Sequence, residues 1–182
     1  MKAKEEYSVR LKMADMHEEF IERMSVAYDN EFYVETVWYC YAIFEQRISR
    51  LISKYIDKCS LFPDRKNDKS AEISTRINCL KKVVKAKYGP FHLLNQSILE
   101  NISNWCKKRN ELVHGLISLK LYKNFDEEFK ELAQTGVPLV FELYDVCTDI
   151  RNQWYLMEEP DIPFPVAKCN CKKEKCINPN CI

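Results

Sequence analysis

The chain has 182 residues and carries 28 Lys and Arg against 27 Asp and Glu, a formal net charge of +1. Such near-neutrality excludes a global field that would draw the protein onto nucleic acid or an acidic membrane, so any polyanion site must be a local patch. No apolar run is long enough to cross a bilayer, and the charged start, Met1 through Glu6, has no apolar stretch behind it. These features predict a cytoplasmic protein, neither secreted nor inserted in a membrane.

Glycine occurs only at 89, 115 and 136, and between these points apolar residues recur at steps of three and four. That periodicity predicts an all-α domain over 1–157, followed by a proline-containing linker over 158–168 and a cysteine-rich tail over 169–182. A first amphipathic helix is expected from about Glu5 to Tyr28, ending at Asp29-Asn30. A second, from about Glu31 to Lys58, carries a stripe of Val34, Val37, Trp38, Tyr41, Phe44, Ile48, Leu51, Ile52 and Tyr55. At about 100° per residue, Glu45 falls in the middle of that stripe. A carboxylate there needs a partner if it is buried, or else sits at a wet rim of the bundle.

Residues 59–70 are polar and turn-rich and read as a loop. A basic helix follows over about 71–87, with Lys81, Lys82, Lys85 and Lys87, and Gly89-Pro90 ends it. These lysines form either a solvated face or a patch for RNA phosphates. The next long helix is expected to start near Phe91 or His92, with a stripe of Leu94, Ile98, Ile102, Trp105, Leu112, Val113 and Leu116. Two shorter helices, about 126–134 and 138–157, are expected on either side of Thr135-Gly136-Val137-Pro138.

Within the long helix, Arg109 lies at the centre of the apolar stripe. An arginine cannot shed its charge, so the position calls for a carboxylate or a phosphate, and Glu45 is the intramolecular candidate. His114 lies about 140° around the helix from Arg109 but only about 40° from Asn110. For Arg109 and His114 to act together, the helix must distort near Gly115 or a second subunit must bring its copy across a two-fold interface.

Arg109-Asn110 through His114, inside an all-α domain of this size, resembles the Arg-x(4 to 6)-His motif of the HEPN superfamily, the higher eukaryote and prokaryote nucleotide-binding domains. The resemblance implies an up-and-down bundle of five to six helices and a homodimer whose interface holds the paired motifs. It further implies a metal-independent endoribonuclease, frequently a toxin or phage-defence effector with an antitoxin or regulatory partner. Other members only bind RNA or nucleotides, so a non-catalytic RNA-binding or adaptor protein, or the nucleotide-binding partner of a nucleotidyltransferase, stays open. One subgroup carries a tyrosine two residues after the histidine, where this chain has Leu116.

The residue types suit cleavage by the ribose 2′-hydroxyl. Imidazole exchanges protons near neutrality, a guanidinium supplies planar phosphate donors, and Asn110 can position phosphate or ribose. Catalysis then requires no cofactor. Glu45 orients Arg109 in this reading, Lys81, Lys82, Lys85, Lys107 and Lys108 hold the RNA backbone, and exposed aromatics among Tyr33, Tyr39 and Trp154 stack on bases.

Five cysteines, Cys40, Cys59, Cys79, Cys106 and Cys147, are scattered without common spacing and read as reduced thiols. The other four, Cys169, Cys171, Cys176 and Cys181, offer closely spaced soft ligands that suit a structural Zn²⁺. The two four-residue gaps resemble those of a zinc knuckle, although one residue instead of two separates the first pair. A redox-labile tail without metal is the alternative.

Overall fold

The computed structural model describes residues 18–56, 72–117 and 124–157, and among these every regular element is helical. Helix α1 covers 18–29, α2 covers Tyr33–Leu51 and passes into a π-helical turn at Ile52–Ile56, and α3 covers Ile73–Lys85. A 3₁₀ turn at Gly89–Leu93 precedes α4 (Gln96–Ile117), and α5 covers Phe125–Met157. The all-α expectation therefore holds.

The first break falls at Asp29-Asn30, as composition suggests. Phe32 N–H donates to Ala27 carbonyl at 2.8 Å and Glu31 N–H to Tyr28 carbonyl at 3.0 Å, closing the helix end in a Schellman arrangement. Glu31 occupies the left-handed position of that cap at φ 60, where glycine is the usual residue. Helix α3 ends the same way, with Tyr88 N–H on Val83 carbonyl, Lys87 N–H on Val84 carbonyl, and Lys87 at φ 52. The basic helix thus stops before Gly89-Pro90.

Gly89 serves a different purpose. Its φ is +49, and a Cβ there would come within 2.8 Å of the Trp154 ring. Pro90 and Phe91 are buried in the 3₁₀ turn, so α4 starts later than the Phe91 or His92 expected, where Asn95 Oδ1 accepts Ser97 N–H at 3.0 Å.

The two short C-terminal helices expected from Gly136 and Pro138 are in fact one, α5, with Pro138 inside it. Proline removes one intrahelical hydrogen bond. Nearby carbonyls are supported by side chains: Thr135 Oγ1 donates to Glu131 and Leu132 carbonyls, and Trp105 Nε1 donates to Leu132 carbonyl at 2.8 Å. Gly136 is small because Trp105 leaves no room, an added Cβ there lying 2.8 Å from the indole nitrogen. The residues that read as breakers instead admit an indole against the helix backbone.

Two compact units are present, each drawn from separated stretches of chain. Unit 1 is formed by the described residues of Met1–Glu45 and Asn104–Phe141, and unit 2 by those of Gln46–Ser103 and Glu142–Ile182. In unit 1, Met24, Phe44, Phe129 and Val140 are fully buried, the Cys40 thiol meets Met24 sulfur at 3.5 Å, and Phe44 packs edge-on against Trp105 at 5.2 Å. In unit 2, Ile48, Ile77, Leu80, Phe91, Leu94 and Ile98 are buried, and Arg76 hydrogen-bonds Ser49. Each core follows the stripes read from periodicity, with Ile43, Cys40, Leu99 and Cys106 added. Trp38 departs from its stripe and is 53% exposed. No helix of the described residues is long and apolar enough to cross a membrane.

Candidate functional site

Arg109 lies in the second half of α4, within unit 1, and only 8% of its surface is exposed. Its position in the apolar stripe carries it inward, as helical angle predicts. The guanidinium is held between two rings of α2, with Cζ 4.3 Å from the Trp38 centroid and 4.4 Å from that of Tyr41. Attraction to the ring faces compensates part of the hydration the cation gives up. Nη1 donates to Asn110 Oδ1 at 3.1 Å, while Nε is buried without a hydrogen-bond partner.

Asn110 is half-buried, and His114 is exposed in the last turn of α4. The Arg109 to Asn110 bond changes the geometry expected from helical angles alone. The guanidinium reaches around to Asn110, which shares a flank with His114 four residues on. Cation and amide are thereby joined, and His114 lies one turn farther along the Asn110 side of α4, although the Arg109 and His114 backbone positions remain far apart in angle.

Glu45 is half-buried on α2. Its charge and that of Arg109 both act on the Cys106 thiol, one turn before Arg109 on α4. This thiol is pushed up to about 12, chiefly by burial, with Arg109 acting to lower it and Glu45 to raise it. The two charges paired by sequence therefore bear on the same thiol.

Lys107 and Lys108 are exposed on the outer side of α4. Lys108 lines a cleft of about 360 Å³ with Glu111, Glu128 and Glu131, over Leu112 and Leu132. Three carboxylates beside one ammonium make it poorly suited to phosphate. Lys82 and Lys85 are exposed and Lys81 half-buried on α3, in unit 2. Among the described residues, unit 1 has twelve carboxylates against five Lys and Arg, whereas unit 2 has nine Lys and Arg against five carboxylates.

Of the aromatics expected to be open, Tyr33, Tyr39 and Trp154 are half-buried. Tyr39 packs against Phe20, Tyr33 against Tyr28, and Trp154 against Tyr88 and Phe91. Sequence reasoning overlooked the roles of Trp38 and Tyr41, although the i, i+3 and i+7 spacing of Trp38, Tyr41 and Glu45 places all three on the face of α2 that meets Arg109. It also overlooked Arg47, whose Cζ lies 4.4 Å from the Tyr144 centroid in unit 2. Burial lowers the pKa of Arg47, and its Nε is buried without a hydrogen bond.

Cys40, Cys79, Cys106 and Cys147 are buried free thiols, as expected. Cys59 and the zinc-ligand candidates Cys169, Cys171, Cys176 and Cys181 lie outside the described residues. Among the described residues no cluster of His, Cys, Asp and Glu suits a metal ion. Set against known proteins, the chain matches no family model, no curated protein and no solved structure.

Proposed function

We propose that the protein is an endoribonuclease of the HEPN kind, acting in the cytoplasm as a homodimer and serving as a toxin or phage-defence effector under the control of a regulatory partner. The observation that carries this reading is the Arg109 Nη1 to Asn110 Oδ1 bond at 3.1 Å, with the exposed His114 farther along the Asn110 flank. It joins a permanent cation to an amide one helical turn before an exposed imidazole. The ribose 2′-oxygen attacks the adjacent phosphorus, the 5′-oxygen leaves, and a 2′,3′-cyclic phosphate results. One histidine takes the 2′-hydroxyl proton, and its copy in the second subunit delivers a proton to the 5′-oxygen. Asn110 positions the phosphate and Arg109 supplies compensating charge. The nucleophile belongs to the substrate, so the step needs no metal. A Zn²⁺ on the four tail cysteines is structural in this scheme.

A second reading, a non-catalytic RNA-binding or adaptor protein, is favoured by the deep burial of Arg109 and by the acidic character of unit 1. Burial makes the guanidinium a packing element, and the excess of carboxylates among the described residues of unit 1 works against a polyanion at this site. Incubation of purified protein with RNA in EDTA separates the two. The nuclease yields fragments ending in 2′,3′-cyclic phosphate, and His114→Ala abolishes them while leaving fold and oligomeric state unchanged. Cleavage that survives His114→Ala rules out the catalytic assignment.

A further inference from the structure

The residues that would do the chemistry belong to the acidic unit, which raises the question of what holds a polyanion. Among the described residues unit 2 has the excess of cations, and there Tyr155 is 56% exposed and Leu156 beside it is 61% exposed. Lys54, in the π-helical turn after α2, donates from Nζ to the Tyr155 hydroxyl oxygen at 3.5 Å and lies 4.9 Å from the ring centroid. The ammonium thus sits toward the hydroxyl edge of a tyrosine that is more than half exposed. Neighbouring Trp154 is anchored against Gly89 and Tyr88 within the same unit, which fixes the end of α5 that carries Tyr155.

An exposed aromatic side chain with a cation at its rim is the pairing that single-stranded nucleic acid needs, a surface for a base and a charge for the next phosphate. Two exposed apolar side chains fall well short of the roughly 800 Å² per partner of a stable protein interface. They match the size of one base.

We propose that Tyr155 and Lys54 form a nucleotide-contact point for an unpaired RNA strand, with a base stacked on the tyrosine ring and the adjoining phosphate on the lysine. The inference rests on RNA being the ligand, as in the proposed function, but not on cleavage. It predicts tolerance of base identity and discrimination against duplex, whose bases are already stacked.

The test uses the full chain and a fluorescein-labelled 12-nucleotide 2′-O-methyl RNA, which lacks the nucleophile, as single strand and as blunt duplex. Anisotropy should show tighter binding of the single strand. Tyr155→Ala should weaken it about tenfold and Tyr155→Phe should leave it nearly unchanged, since stacking needs the ring and not the hydroxyl. Lys54→Ala should weaken binding and reduce the log-log salt slope by about 0.7, one single-strand phosphate contact. Thermal melts confirm that each variant is folded.

With cleavable RNA, Tyr155→Ala should raise KM and leave kcat unchanged. Cleavage with KM and affinity unaltered by Tyr155→Ala defeats the contact point and leaves the nuclease standing. Tyr155-dependent binding without cleavage does the reverse. Neither binding nor cleavage by wild type defeats both. Preference for duplex, or loss of self-association in place of RNA affinity on Tyr155→Ala, also overturns the inference.

Discussion

Arg109 is held by shape as much as by charge. A planar guanidinium fits between Trp38 and Tyr41 and still reaches Asn110, which the compact ammonium of lysine does not. Arg109→Lys should therefore unfold at lower urea, with a loss of about 1–2 kcal/mol. Arg109→Met keeps the length and removes the buried charge and its unbonded Nε, so it should recover much of that stability while removing cleavage. If the methionine variant is as unstable as the lysine one, which keeps the charge, the cost of burying that charge is negligible and the expected recovery is wrong. The burial of Arg109 was legible in the sequence, because one cation centred on an apolar stripe has a single direction to point. The part of its surroundings supplied by the Trp38 and Tyr41 ring faces was less legible, because an aromatic ring leaves no charge pattern to read.

At the level of the elements, helix ends carry the information that composition hides. Glu31 and Lys87 sit in left-handed caps where glycine is favoured, so Glu31→Gly should raise the free energy of unfolding by about 1 kcal/mol in a urea titration. A neutral or negative effect would indicate that the Glu31 side chain offsets its backbone strain. Gly136→Ala has the opposite sign. The new methyl would meet the Trp105 indole, and a loss of about 1–3 kcal/mol is expected, with a blue or red shift of buried indole emission marking the displacement. These positions explain why the helices of the first half were legible and the last was not. Periodicity identifies a helix face reliably, but glycine and proline signal a break only where no tertiary contact requires them. Here Trp105 requires Gly136, and the Thr135 and Trp105 side chains support the carbonyls just ahead of Pro138.

For the molecule as a whole, the buried thiols set an alkaline limit. Cys40 and Cys106 in unit 1 and Cys147 in unit 2 are each pushed up to about 12, mainly by burial, with Arg47 pulling Cys147 back down. Their folded values exceed the unfolded value of about 8.5. The native state keeps these protons while the unfolded chain loses them, so the contribution is complete below about pH 8.5 and is lost as pH rises toward 12. The urea midpoint should fall steeply over that window, and Cys147→Ala should flatten the fall even if it lowers the midpoint at neutral pH. An unchanged slope in that variant would remove the thiol from the account. The scattered spacing of these cysteines correctly indicated reduced thiols, but their depth depends on packing that no spacing encodes. The division of charge between the described residues of the two units was equally hidden, because each unit draws on separated stretches of chain.

The three tryptophans occupy graded environments: Trp105 is 3% exposed and hydrogen-bonded, Trp154 is half-buried beside Gly89, and Trp38 is 53% exposed over a cation. They form a built-in optical gauge. An aqueous quencher should extinguish Trp38 first and Trp105 last, so the order in which emission is lost during denaturation reports the loosening of Arg109's aromatic clamp separately from the collapse of the unit 1 core.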